Sequence, residues 1–364
     1  MQICSRCVMD ESAIDITFTA DLKCDYCSDF LLSYEGQTSK NDDLSTLIDA
    51  VKRDGAGKAY DCIVGVSGGV DSSYVLSLVV EQGLRPLAVH LDNGWNSDLA
   101  VSNINNLVRK LNVDLYTHVI DWNENKDLQR SFISADVVDI ELLMDNAMLA
   151  LNYRLASKYK LKYILSGSNS ATEGIKMPRS WNWRKYDAKN IKAIHNKYGK
   201  VKIKTHKLIS VVGFIYYSIF KKIKWVSFLD YFEYEKEKAL CHLEKNYGYR
   251  RYPYKHYESI FTRFYQGYIL PEKFGIDKRK LHLSNLVVTN QISRDEALKI
   301  LSEKPYASDK EFSEDYEYVI KKLGYTKSEF QEYIKRPRVC HSKFPNSDRF
   351  WNTLKKLNSL LSRP

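Results

Sequence analysis

The chain has 364 residues, enough to bury a large core and to hold two or three units, and its 44% hydrophobic and 27% charged residues exclude a disordered polymer. Its longest apolar run, 13 residues from Leu208 to Phe220, is short of the roughly 20 needed to span a bilayer. That run reads as a buried helix, with a helix lying in a membrane interface as the alternative. Net charge is +10 and uneven: residues 176–257 hold 20 Lys+Arg against 6 Asp+Glu. Such a segment suits an anionic partner (nucleic acid, a phosphorylated sugar or an acidic membrane surface) or a solvated lysine face.

The first residues lack the basic and apolar regions of a secretion signal, so the expected location is the cytoplasm. Cys4-x-x-Cys7 and Cys24-x-x-Cys27 have the spacing of a four-thiolate metal site, each pair forming a knuckle that sets two sulfurs on one ion. Four ligands leave no open position, so a structural Zn2+ is expected, with an iron–sulfur cluster as the alternative. Disulfides fit a reducing compartment poorly. Residues 1–40 thus read as a Cys4 zinc-binding knuckle, with a polar linker over 36–43. Cys62, Cys241 and Cys340 have no context that argues for a nucleophile.

Residues 41–300 read as a nucleotide-binding core. After a helix ending near Gly55, strands are expected at 61–66, 87–91, 115–120 and 163–165, alternating with helices from Ser72 to Gly83, from the cap Ser97 through Leu111, and over 141–160. Strands and helices alternating at this spacing predict an α/β, doubly wound parallel sheet. Ligands of such sheets sit beyond the carboxyl ends of the strands, where strand order reverses. Four loops qualify: 67–73, 90–95, 121–122 and 166–173.

The first of these is Ser67-Gly68-Gly69-Val70-Asp71-Ser72-Ser73, directly after the apolar run 62–66. Glycines permit a tight turn and close approach of the backbone to an anion, and the opening helix presents free N–H groups and a positive dipole end. No Gly-Lys-Ser/Thr follows, so the lysine of a γ-phosphoryl-transfer loop is absent. Beyond Gly174 comes a basic, aromatic-rich insert at about 176–248 whose topology the pattern does not resolve. Residues 301–364 read as a helical extension, and Ser293-x-x-Glu296 and Thr326-x-x-Glu329 are capping boxes.

The 67–73 motif resembles the loop of the PP-loop ATP pyrophosphatases, of adenine nucleotide alpha hydrolase-like fold. The resemblance implies ATP and Mg2+, and cleavage between the α- and β-phosphates. Ser67 to Ser73 would hold pyrophosphate, Asp71 would orient the loop or Mg2+, and Asp92 and Gly167 would line AMP. For Asp92 a simple Asx turn before Gly94 is the other reading.

With the cysteine pairs, Ser-Gly-Ser-Asn-x-Ala-Thr-Glu-Gly (166–174), Lys-His-Tyr-Glu-Ser (255–259) and Asp-Lys-Arg (277–279), the chain is similar over about residues 1–300 to the N-acetyl sugar amidotransferases of the WbpG/PseA type. That similarity implies adenylation of an acetamido group on a nucleotide-linked sugar and its conversion to acetamidino, in O-antigen, lipopolysaccharide or flagellar-glycan synthesis. Ammonia would come from a HisH-type glutaminase, with a HisF-like channelling partner, since no glutaminase triad is evident here. Lys255, Lys278 and Arg279 would neutralise phosphoryl charge, and Glu173 or His256 would take a proton from ammonium, each against a surface or packing role. The exposed-lysine reading is strongest for Lys278. A tRNA-modifying PP-loop enzyme such as a sulfur transferase is the rival, because it too joins this loop to paired cysteines and a basic surface. A non-catalytic scaffold is the third reading.

Overall fold

The computed structural model describes residues 2–34, 41–253 and 257–353. Five parallel strands form one sheet in the order β3-β2-β1-β4-β5: β1 Cys62–Gly65, β2 Pro86–Asp92, β3 Leu115–Val119, β4 Tyr163–Ser166 and β5 Lys224–Ser227. The helices in chain order are α1 Asp25–Tyr34, α2 Asn41–Gly55, α3 Val70–Glu81, α4 Asp98–Leu111, α5 Trp122–Ser134, α6 Leu142–Lys158, α7 Ser170–Glu173, α8 Ala188–Tyr198, α9 Val211–Ile215, α10 Lys236–Tyr247, α11 Ile260–Phe264, α12 Arg279–Val288, α13 Arg294–Ser302, α14 Asp309–Leu323 and α15 Lys327–Lys335. α9 and α11 each continue as a wider π-helical stretch, Tyr216–Phe220 and Tyr265–Phe274.

Alternation of side chains across the strands divides the sheet's two faces. Cys62, Val64, Ala88, Tyr163 and Leu165 pack toward α3, α4 and α10, while Ile63, Leu87, Val89 and Ile164 pack toward α6. The doubly wound expectation therefore holds, and its switch point lies between β1 and β4.

A third core draws on α5, α8, α11, α12, α14 and α15. The four cysteines belong to it, so the knuckle is bedded on the C-terminal helices. Val8 N–H donates to Ser284 Oγ at 3.1 Å, and Arg294 donates to the carbonyls of Cys4 and Cys7 at 2.9 and 3.1 Å.

Several elements differ from the sequence expectation. α3 opens at Val70, two residues before Ser72, because Gly69 in extended conformation already serves as its N-cap. The basic insert at about 176–248 contributes β5, a four-residue strand too short and too lysine-flanked to announce itself. The run Leu208–Phe220 is helical over its second part but is not a buried helix: Val212, Tyr216, Ile219 and Phe220 face outward. The capping expectation is met in full at Thr326, whose side chain and Glu329 bond reciprocally. At Ser293 the hydroxyl accepts from Glu296 N–H.

Candidate active site

The 67–73 loop lies at the carboxyl end of β1, beside the switch point. Gly68 has φ +84°, and a Cβ there would stand 2.8 Å from the Ala100 carbonyl, so the turn requires glycine. Ser67 Oγ and Ser72 Oγ are 3.1 Å apart, and Ser67 Oγ accepts from Gly69 N–H at 3.2 Å. The first N–H groups of α3 have no acceptor within their own helix and point with its positive dipole end toward this turn. Ser73 Oγ is buried with no hydrogen-bond partner among the described residues. A glycine-defined cradle lined with hydroxyls at a helix N-terminus fits the phosphates of a nucleotide.

Residues remote in sequence brace the loop. Tyr249 and Tyr252 both donate to the Gly68 carbonyl, at 3.2 and 3.0 Å, and Tyr234 donates to the Asp71 carboxylate. Burial, and then the Asp71 charge, push the Tyr234 phenol far upward, so it stays a donor. Gly167, from the turn after β4, packs on the start of α3: a Cβ there would meet Asp71 C at 2.8 Å and Ser72 N at 2.9 Å. At the end of β2, buried His90 contacts the Val66 carbonyl through Nδ1 at 2.9 Å and Asn96 through Nε2 at 3.0 Å, a pattern that assigns the proton to Nδ1. Asp92 accepts from Gly94 N–H at 2.8 Å, which is the Asx turn that its sequence context also allowed.

The Lys-His-Tyr-Glu-Ser segment reaches the same place. Ser97 N–H donates to the Glu258 carbonyl at 2.9 Å, Asn96 and Ser259 form a bridge, and a Cβ on Gly69 would stand 3.5 Å from Glu258 Oε1. Lys255 and His256 lie outside the described residues.

Lys278 is the plainest correction. Far from being an exposed lysine, it is 7% exposed and donates to Glu141 at 2.6 Å. Burial opposes its charge, but Glu141 and Asp139 outweigh burial and move its pKa upward. Asp139 accepts from Leu142 and Trp183 N–H groups at 3.1 and 2.7 Å; burial, only partly countered by Lys278, pushes its carboxyl up to about 6. Beside them Lys185 pairs with Asp145 at 3.0 Å. Glu173 ends α7 and acts electrostatically on both Lys185 and Tyr234, linking this acid–base cluster to the loop. Arg279 is instead engaged with Asp277 at 2.8 Å and with the Ile300 and Glu303 carbonyls at 3.2 and 2.9 Å, a packing role that holds the end of α13.

Sequence reading passed over Asp139, Glu141, Asp145, Lys185, Tyr234 and Tyr249, which carry no local motif. Only Glu258 stood within a quoted one. A groove of about 920 Å³ lined by Lys189, Lys192 and Phe344 lies at α8 and the C-terminal segment, away from the strand ends.

In the knuckle the four cysteine sulfurs lie within 4.8 Å of one another, with Cys4–Cys27 at 3.8 Å and Cys7–Cys24 at 3.6 Å. Metal–sulfur bonds of about 2.3 Å in a tetrahedron require sulfurs about 3.8 Å apart. The set therefore fits one ion, and backbone N–H groups of Cys24 and Cys27 point at its sulfurs.

Comparison with known proteins assigns the last part of the chain. Residues 258–358 match the family model of LPS biosynthesis protein WbpG-like, C-terminal domain. No curated protein matches the chain. Among solved structures, similar chains include NMN synthetase from Francisella tularensis (16% identity, 59% of this chain and 89% of that one, TM-score 0.28). Another is NH3-dependent NAD synthetase from Campylobacter jejuni subsp. jejuni (13%, 58% and 84%, TM-score 0.31). A third is U34-tRNA thiolase NcsA from Methanococcus maripaludis with its [4Fe-4S] cluster (13%, 83% and 89%, TM-score 0.33).

Proposed function

Because a WbpG-like C-terminal domain begins at Glu258, beside Gly69 of a serine–glycine phosphate loop, we propose that the protein is an ATP-dependent N-acetyl sugar amidotransferase, a cytoplasmic enzyme of surface-polysaccharide or flagellar-glycan synthesis. It would adenylate the acetamido oxygen of a nucleotide-linked sugar, releasing pyrophosphate. Ammonia would then displace AMP to leave an acetamidino group. The observation that carries this reading is the junction itself: the start of the matched domain lies against the cradle made by Gly68 and Gly69.

In this reading Ser67, Ser72, Ser73 and the N–H groups opening α3 hold the departing pyrophosphate. Bound Mg2+ would offset the charge that builds on the phosphates, with Asp71 the residue to hold it. Tyr234 orients the Asp71 carboxylate, and Gly167 lets the second loop close on the first. Lys278, held charged by Glu141 and Asp139, stabilises negative charge on the substrate, and Glu173 accepts a proton from the incoming ammonium. The four-cysteine site holds Zn2+ as a structural ion, since its sulfur spacing suits a single metal. Ammonia comes from a HisH-type glutaminase through a HisF-like partner.

Purified protein given ATP, magnesium, an ammonium salt and a panel of nucleotide sugars tests the proposal. AMP and pyrophosphate should appear only with an N-acetyl sugar, whose product is lighter by the difference between O and NH. Release of AMP only with tRNA would overturn the sugar assignment in favour of a tRNA-modifying enzyme.

A further inference from the structure

A helix on the surface of a soluble protein normally turns a polar face to water. Val211–Phe220 does not. Its inner side packs Phe214 on Tyr186, with ring centroids 4.1 Å apart, and Tyr217 on Tyr153 at 5.6 Å. Its outer side carries Val212, Tyr216, Ile219 and Phe220, which are 63, 46, 63 and 74% exposed and fall on one face at helical spacing. Neither side bears a charge.

The charge lies around it. Between Asp187 and Asp230 the sequence has ten lysines and no carboxylate. Lys221 sits 5.5 Å over the Tyr216 ring, and Lys222 and Lys224 follow, both exposed. Lys162 donates to the Lys221 carbonyl at 2.6 Å, and Lys58 to the Lys160 carbonyl at 2.9 Å, so lysines from three elements gather at the amino-terminal ends of β4 and β5. An exposed apolar strip rimmed by lysines complements a surface that is apolar within and anionic outside. A nucleic acid offers phosphates to the lysines but no apolar environment for Val212 and Ile219.

We propose that this face docks the protein on an anionic lipid bilayer, the apolar strip entering the headgroup boundary and the lysines meeting lipid phosphates. The phosphate loop opens at the opposite, carboxyl ends of the strands, so docking leaves it accessible. The inference is independent of the sugar assignment.

Flotation of the full chain with vesicles of phosphatidylglycerol and phosphatidylcholine, against pure phosphatidylcholine, tests it. The wild type should float with the anionic vesicles only, and added salt should weaken binding. Ile219→Ser with Phe220→Ser, and separately Lys221→Glu with Lys222→Glu, should each lower the bound fraction by roughly tenfold or more. Both pairs are exposed, so their thermal unfolding midpoints should match the wild type. Absence of flotation, equal flotation of folded variants, or a concentration-dependent dimer that the Ile219/Phe220 variant abolishes would overturn the proposal.

Discussion

Tyr234 donates its hydroxyl to Asp71, tying the phosphate loop after β1 to a segment that follows β5. The contact makes one carboxylate of the candidate site depend on residues 163 positions away. Asp71→Ala should abolish AMP formation while leaving metal content intact. Tyr234→Phe removes a hydrogen bond to a charged group, worth about 1.5–3 kcal/mol, so kcat should fall about 10- to 100-fold with the fold retained. Steady-state assays of AMP release read both, and normal turnover by Asp71→Ala would remove the loop from catalysis.

Lys278 and Glu141 form a buried ion pair, with side chains 8 and 16% exposed. Removing one partner of such a pair strands the other charge, so Lys278→Met should lower unfolding free energy by about 3–5 kcal/mol. Adding Glu141→Gln should recover part of that loss. Urea unfolding of both variants checks the non-additivity.

Stability should decline in acid. Burial depresses His206 to about 4 and His341 to about 3, from an ordinary 6.5, so the unfolded chain binds protons that the fold refuses as pH drops below 6.5. Each histidine costs about 3 kcal/mol of stability by pH 4. Asp139, raised from 3.8 to about 6, acts the other way: the fold takes up its proton first, returning about 2 kcal/mol between pH 6 and 4. The net result is a loss that His341→Gln should flatten and Asp139→Asn should steepen. Denaturant midpoints followed by tryptophan fluorescence from pH 7 to 4 measure these slopes.

Metal analysis should return a single zinc ion per chain. Cys4→Ser or chelation should lower the unfolding midpoint, because the knuckle shares a core with the C-terminal helices. Arg294→Ala frees the Cys4 and Cys7 carbonyls and should weaken metal affinity by about tenfold, as loss of an outer-shell partner does. Competition with a chromogenic chelator measures it.

The β1–loop–α3 unit was legible because it is contiguous: a short apolar run, two glycines and a helix start stand within a few residues. The strands β1 to β4 followed from similarly short-range patterns. β5 escaped because four residues between lysines and aromatics carry almost no pattern. The outward face of Val211–Phe220 was misread because an apolar run alone does not say which of its sides the rest of the chain will cover.

The residues by themselves determined the phosphate cradle and the four-sulfur centre, since both depend on backbone conformations and spacings local to the chain. Only the tertiary structure decided that Lys278 is buried against Glu141, that Tyr234 reaches Asp71 and that Arg279 turns to Asp277 and α13. The first two join positions more than a hundred residues apart, and even the third needs α13 folded back on α12. Burial and charge pairing are properties of which surfaces meet, and no local pattern encodes that.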